Sequence, residues 1–310
     1  MNNNKKKMLG LVLMTGMLTV AQAEVLVILP ESGPMARAAS SIQQGFLHVY
    51  QTSKQKTPVR FVDSHQFSIA SILQTKVNEQ TELVVGPLSR EQLEELIALQ
   101  PQVKTLALNH IDQQHPNVTQ FSLAKHEDAR ALMPVIQKDG IQELLIVRKV
   151  GTEKEYELFL SALLELLNIR YEVVNEIPST LSQQQGILLL GDAEWLSGLK
   201  DLPNVHIYAS ANAIGDFDKI PAGLKFCDTA ALYQREWRSI QSLAAAEPLP
   251  FQRLVAFGAD AAQLTQFYLS QPNIKQYQFN GRTGKITLNA NQIQRLPACF
   301  LTDGNKIKTL

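Results

Sequence analysis

Cysteine is nearly absent from this chain of 310 residues: there are two, Cys227 and Cys299, and none precedes them. A lipid-modified N-terminal cysteine is therefore not available in this sequence. An excess of charge is lacking too, with 29 basic and 29 acidic side chains. Nucleic acid as the main partner is excluded on that ground. No apolar run reaches the roughly 20 residues of a comfortable membrane span. The nucleophile elbow G-x-S-x-G, the phosphate loop and the zinc helix H-E-x-x-H are all missing, which leaves catalysis without a sequence signal. His110, Asp112 and His115 lie close together, but no thiolate or second acidic ligand accompanies them. The segment reads as a polar loop closed by Pro116, and neither a metal nor a cofactor is expected.

What is present begins with an export signal. Lys5, Lys6 and Lys7 form a basic region, Met8 to Val20 an apolar one, and Ala21-Gln22-Ala23 a small-residue cleavage site. Residues 1–23 are thus read as a signal peptide, cleaved near Ala23 to leave a soluble, unanchored mature chain starting at Glu24. The mature chain keeps 26 basic against 29 acidic residues. In the oxidising compartment it would enter, Cys227 and Cys299 form either a disulfide or a pair of unlinked buried thiols.

Val25 to Leu29 is an unbroken apolar run suited to a strand covered on both faces. Pro30, Gly33 and Pro34 end it, and helical spacing resumes with Ile42, Phe46 and Val49. Further strand-like runs follow at 58–63, 82–87 and 104–110, with room for one helix between each. A second series has a helix from His126 to Gln137 interrupted by Pro134, then strands near 143–148, 171–174, 186–192 and 205–211, with a helix over 156–167. Such alternation predicts parallel sheets flanked by helices. After Phe226 come helices near 232–245 and 255–269, and 277–295 reads as a hairpin around two glycine-bearing turns. The expected architecture is α/β and two-lobed, with multiple hinge crossovers. Lobe 1 takes 24–123 plus about 235–280, and lobe 2 takes 124–234 plus about 281–310.

In their order and spacing, LVILPESGPMARAASSIQQGF, ELVVGPLSREQLEEL, TLALNH, GLKFCDTAALYQ, AFGADAAQL and FNGRTGKITLN resemble the penicillin-binding protein activator family, on a type I periplasmic-binding-protein fold. The resemblance covers nearly the whole mature chain. It implies a periplasmic, non-catalytic regulator that binds and stimulates a bifunctional peptidoglycan synthase. In departure from the family, neither an N-terminal helical-repeat domain nor a lipid-attachment cysteine is expected ahead of the first strand. Thr229, Ala230 and Ala231 also stand where many relatives carry a Pro-Trp pair. The competing reading is a solute-binding protein for an amino acid or small polar ligand.

The candidate interlobe cleft is drawn from residues just after predicted strands, where open α/β sheets bind ligands. These are Glu31, Ser32 and Gly33 after the first strand, and Gly86, Pro87 and Ser89 after the third. Asn109 and His110 follow the fourth. Gly86 is expected at a backbone position of positive φ or close approach. Arg148 and Asp260 join Glu31 as charged candidates for a polar ligand. The alternative is that these serines and asparagines cap helices and turns. Trp195 and Trp237 are either interface anchors or core.

Overall fold

The structure, a computed structural model, describes residues 23–54, 57–200, 202–203, 205–215 and 220–310. The expected export signal, apart from Ala23, lies outside the described residues. Among them no helix is long and apolar enough to cross a membrane.

The first sheet is built from β1 (Glu24–Leu29), β2 (Val59–Asp63), β3 (Thr81–Val85), β4 (Thr105–Ala107) and β5 (Val118–Gln120). Helices α1 (Ala36–Thr52), α2 (Ile69–Thr75) and α3 (Arg90–Ala98) connect the first four. Period-two alternation divides β1 between two cores: Val25, Val27 and Leu29 pack toward α1, while Leu26 and Ile28 pack toward α2 and α3.

The chain then crosses to the second lobe through α4 (Lys125–Lys138), β6 (Glu143–Arg148), α5 (Glu153–Leu166), β7 (Arg170–Val174) and β8 (Gln185–Leu190). It continues into α6 (Ala193–Gly198), β9 (His206–Ala209) and β10 (Leu224–Asp228). Pro134 does not interrupt α4, which runs unbroken through it. The proline sits on the exposed side next to exposed Arg130, whose carbonyl water can satisfy, while Ala129, Leu132 and Ile136 bury the opposite face.

A return crossing brings α7 (Arg238–Ala244) and α8 (Leu249–Ser270) onto the first lobe, followed by β11 (Gln276–Asn280), β12 (Lys285–Asn289) and β13 (Gln292–Leu296). The last crossing is at Pro297, before β14 (Ala298–Thr302) and β15 (Ile307–Thr309). The first sheet has order β11-β12-β13-β5-β4-β3-β1-β2 and the second β15-β14-β10-β9-β8-β6-β7.

This corrects the division at residue 281. β12 and β13 complete the first sheet: Ile286 is buried in the core beside α8, and β13 pairs in parallel with β5. The 277–295 segment is a three-stranded meander, and its second turn carries Ala290 at φ 53°, not a glycine.

Two features hold the lobes' elements in register. α1 and α8 cross at glycines: a Cβ on Gly45 would lie 1.8 Å from the Val255 carbonyl oxygen, and one on Gly258 would lie 1.9 Å from that of Ile42. In the second lobe, Cys227 of β10 and Cys299 of β14 are direct cross-strand partners joined as a disulfide.

Candidate functional site

The turn after β1 is closed upon itself. Asp63, at the end of β2, accepts from the Glu31 amide at 2.9 Å, the Ser32 hydroxyl at 2.7 Å and the His65 amide at 2.9 Å. Burial works against the Asp63 charge, but these donors hold its carboxyl below the ordinary range. Gly33 has φ 76° and packs on the His65 ring, where a Cβ would come within 2.6 Å. Glu31, Ser32 and Gly33 therefore form a braced turn, and they do not line the cavity between the lobes.

The residues after β3 behave similarly. Gly86 has φ 104°, and a Cβ there would stand 2.1 Å from the Ile28 carbonyl oxygen. The Gly86–Pro87 peptide is cis. Ser89 caps α3 by accepting from the Gln92 amide at 3.2 Å. Asn109 donates to the Leu88 carbonyl at 2.7 Å and accepts from the His110 amide at 2.8 Å. Arg148 ends β6, half-buried, outside the cavity lining.

Asp260 is fully buried within α8. It accepts from the amides of Arg282 and Thr283, both at 2.8 Å, and from the Thr283 hydroxyl at 2.7 Å. Burial pushes its carboxyl up against these contacts. Its place is to hold the Gly281–Gly284 turn against the helix, outside the lining of the cavity between the lobes.

Between the lobes lies a cavity of about 510 Å³. The first lobe and α8 supply an apolar wall of Leu88, Leu108, Leu254 and Phe257, and α5 supplies Leu158 from the other side. Arg90, His110, Lys125 and His126 line it as well, with Asp112 as the acid. Of the sequence-predicted residues, Asn109 and His110 are here. His110 from the first lobe meets His126 of α4 with ring centroids 5.5 Å apart. Burial lowers the basicity of both imidazoles, and for His126 the neighbouring His110, Arg130 and Arg295 act in the same sense. Burial likewise lowers that of Lys125, which donates to Asn212 at 2.6 Å and stands 3.8 Å from Asp128.

Behind the cavity, two ionic clusters join the lobes, and sequence reasoning identified neither. Arg253 of α8 reaches Asp228 at the end of β10 with two hydrogen bonds of 2.8 and 2.7 Å, and it also donates to the carbonyls of Ala211 and Ile214. Tyr233 donates to the same Asp228 at 2.9 Å. Arg295 of β13 bonds Glu127 and Asp128 in the first turn of α4, at 3.2 and 2.7 Å. Its amide gives Glu127 a further bond of 2.7 Å. Burial pushes the Glu127 carboxyl up to about 7 even with Arg295 beside it. The signal that could have found the first is charge set among apolar residues, as with Asp228 at the end of LKFCD and Arg253 in FQRLVAF of α8.

Trp195 packs on the second lobe's core and lies over Gly191. Trp237 sits under the Arg282 guanidinium, 4.9 Å from its ring centroid, at the return crossing. Both are partly buried packing residues.

The two-lobed fold is shared with proteins to which the chain is similar. The sequence profile of the LppC putative lipoprotein family matches residues 11–151. A penicillin-binding protein activator LpoA from Haemophilus ducreyi is 25% identical over 301 residues, covering 86% of this chain and 51% of that protein. The chain thus spans about half the length of the curated relatives it matches. Among solved structures, the LpoA C-domain from Haemophilus influenzae, described as a regulator of PBP1A, superposes with a TM-score of 0.75 at 20% identity, covering 93% of this chain and all of that one. A putative branched-chain amino acid ABC transporter protein from Chromobacterium violaceum superposes at 0.69 and 20% identity, covering 91% of this chain and 100% of that one. In sequence the chain therefore resembles the penicillin-binding protein activators, and in fold it resembles their C-domain, on the two-lobed frame that transporter-associated binding proteins share.

Proposed function

We infer that this chain is a non-catalytic regulator of peptidoglycan synthesis that binds and stimulates a bifunctional penicillin-binding protein. The observation that carries the reading is the similarity to penicillin-binding protein activators over 86% of the chain. The ionic clusters at Arg253 and Arg295 support it. They fix one lobe on the other with buried, well-partnered charges, which suits a scaffold presenting a constant surface. The turn residues that a solute-binding site would use after β1, β3 and β4 are instead spent on Asp63, on the α3 cap and on the Leu88 carbonyl.

In this reading residues 1–23 direct export to the periplasm and are removed near Ala23. An intact mass beginning at Glu24 in the periplasmic extract is the expected result. The functional test is a titration of the purified protein against the host's bifunctional synthases, with polymerisation and cross-linking rates followed in parallel. Saturable binding with faster synthesis is expected. Binding to none of the synthases, by a protein whose melting transition is intact, would overturn the reading.

A further inference from the structure

An edge strand leaves the amide and carbonyl of every second residue without a partner, and it invites pairing with another chain. The two sheets end in four such strands, β2, β7, β11 and β15. Three of them keep their large apolar side chains partly buried, as with Phe61 of β2, Phe279 of β11 and Ile307 of β15. β7 does not. Its Tyr171 is 52% exposed and its Val173 48% exposed, and Arg170 and Glu172, which alternate with them, are exposed as well. Proline and lysine, which blunt edges elsewhere, are absent from its RYEVV sequence, and its register with β6 is uninterrupted.

The direction of the free groups follows from the pairing with β6. The Arg170 amide donates to the Gln142 carbonyl at 3.1 Å, so alternation turns the amides and carbonyls of Tyr171 and Val173 away from β6. Side chains alternate too. Ile169, Tyr171 and Val173 share one face, where Ile169 packs on the core under α4 and α5, and Arg170 and Glu172 share the other.

A second copy of β7, laid antiparallel about a two-fold axis, fits this pattern in one register. Outward amides must meet outward carbonyls, so the axis passes through a residue and not between two. Centred on Arg170 or on Glu172, the pairing sets like charges directly opposite each other. Centred on Val173, it sets Glu172 against Val174 and carries Arg170 past the end of β7. Centred on Tyr171, it sets Tyr171 against Tyr171 of the second copy, Ile169 against its Val173, and Arg170 against its Glu172, each of the unlike pairs occurring twice by symmetry. We propose that β7 is a self-association edge, through which two copies of this chain join their second sheets in the register centred on Tyr171. The site goes beyond the synthase-binding reading and does not depend on it.

Strands this short make a small interface, so a monomer–dimer equilibrium in the micromolar range is expected. Sedimentation equilibrium of the purified chain from Glu24 onward, run from low to high micromolar concentration, should give a mass that rises toward that of two chains. Glu172→Arg and Arg170→Glu each set like charges opposite and should weaken association at least tenfold. Mixed in equal amounts, the two variants restore opposite charges at both pairs, and the mixture should associate as the parent does. Tyr171→Cys reads the same register without altering charge: it should give a disulfide-linked dimer on oxidation, and Glu172→Cys should not, the native cysteines being already joined to each other. The mass of one chain at every concentration would overturn the proposal. So would a dimer indifferent to Glu172→Arg, or a charge-swapped mixture that stays monomeric while both variants keep the parent's melting transition. A monomer that instead binds a synthase through this edge, with affinity lost in Glu172→Arg, would also overturn it and assign the strand to that partner. No synthase is present in the sedimentation runs, so their failure leaves the regulator reading where it stands.

Discussion

At the scale of single residues, the decisive quantity is how completely each buried polar group is partnered. Asp63 receives three close donors and stays ionised. Glu127 shares Arg295 with Asp128 and is pushed up to about 7. A carboxyl raised in the folded state contributes stability that is fully present below its unfolded value of 4.5 and is lost as pH rises through about 7. His110 and His126 act with the opposite sign, since burial lowers both. The Glu127 contribution is isolated by comparison with Glu127→Gln. The melting temperature of the parent minus that of the variant should be larger at pH 5 than at pH 8. A difference that stays flat across this interval would show that Glu127 titrates in the folded protein as it does in water. His110 was legible as a cleft residue because it follows an apolar strand. Its partner His126 was not, because it belongs to the other lobe.

At the scale of elements, close approach of backbones governs more than propensity does. α1 and α8 lie so near that Gly45 and Gly258 face carbonyl oxygens of the opposite helix. Gly258→Ala should destabilise the protein by about 3 kcal/mol, since neither helix can withdraw without opening the core around Phe46 and Phe257. Chemical denaturation measures this directly, and a cost below the roughly 0.5 kcal/mol of an ordinary surface change would mean the helices separate freely. Apolar runs such as VLVIL and ELLIVR announced their strands because both faces are buried. β5, with its VTQ sequence, and β10, with LKFCD, did not. β5 is three residues long, and β10 places a lysine and an aspartate where they find Asp139 and Arg253, partners that sequence spacing does not reveal. Likewise α4 runs through Pro134 because packing on one face outweighs a lost hydrogen bond on the other.

At the scale of the whole molecule, two lobes connected by three crossings are held by buried charge. Arg253 is the residue whose loss should be felt furthest, because it leaves Asp228 buried beside Tyr233 without its cation. Arg253→Met is expected to cost about 3–5 kcal/mol and to broaden the range of interlobe separations seen by small-angle scattering. Adding Asp228→Leu should recover part of that stability, since neither charge is then buried alone. A double variant no more stable than the single would show that Arg253 acts through its carbonyl contacts at Ala211 and Ile214.

The sequence by itself determined the alternation of strands and helices, the two-lobed class and the family resemblance, because these rest on local periodicity and on the order of short motifs. It also pointed to the ends of the strands as the place to look. The tertiary structure alone decided which of those residues are spent internally. Ser32, Ser89, Asn109 and Asp260 satisfy their own turns and caps, and that depends on donors and acceptors whose partners lie up to 31 positions away. It also decided the boundary at Pro297, the disulfide over a separation of 72 residues, and the meeting of Arg253 with Asp228 and of Arg295 with Glu127. Each brings together groups from distant parts of the chain, and no local pattern encodes such a distance.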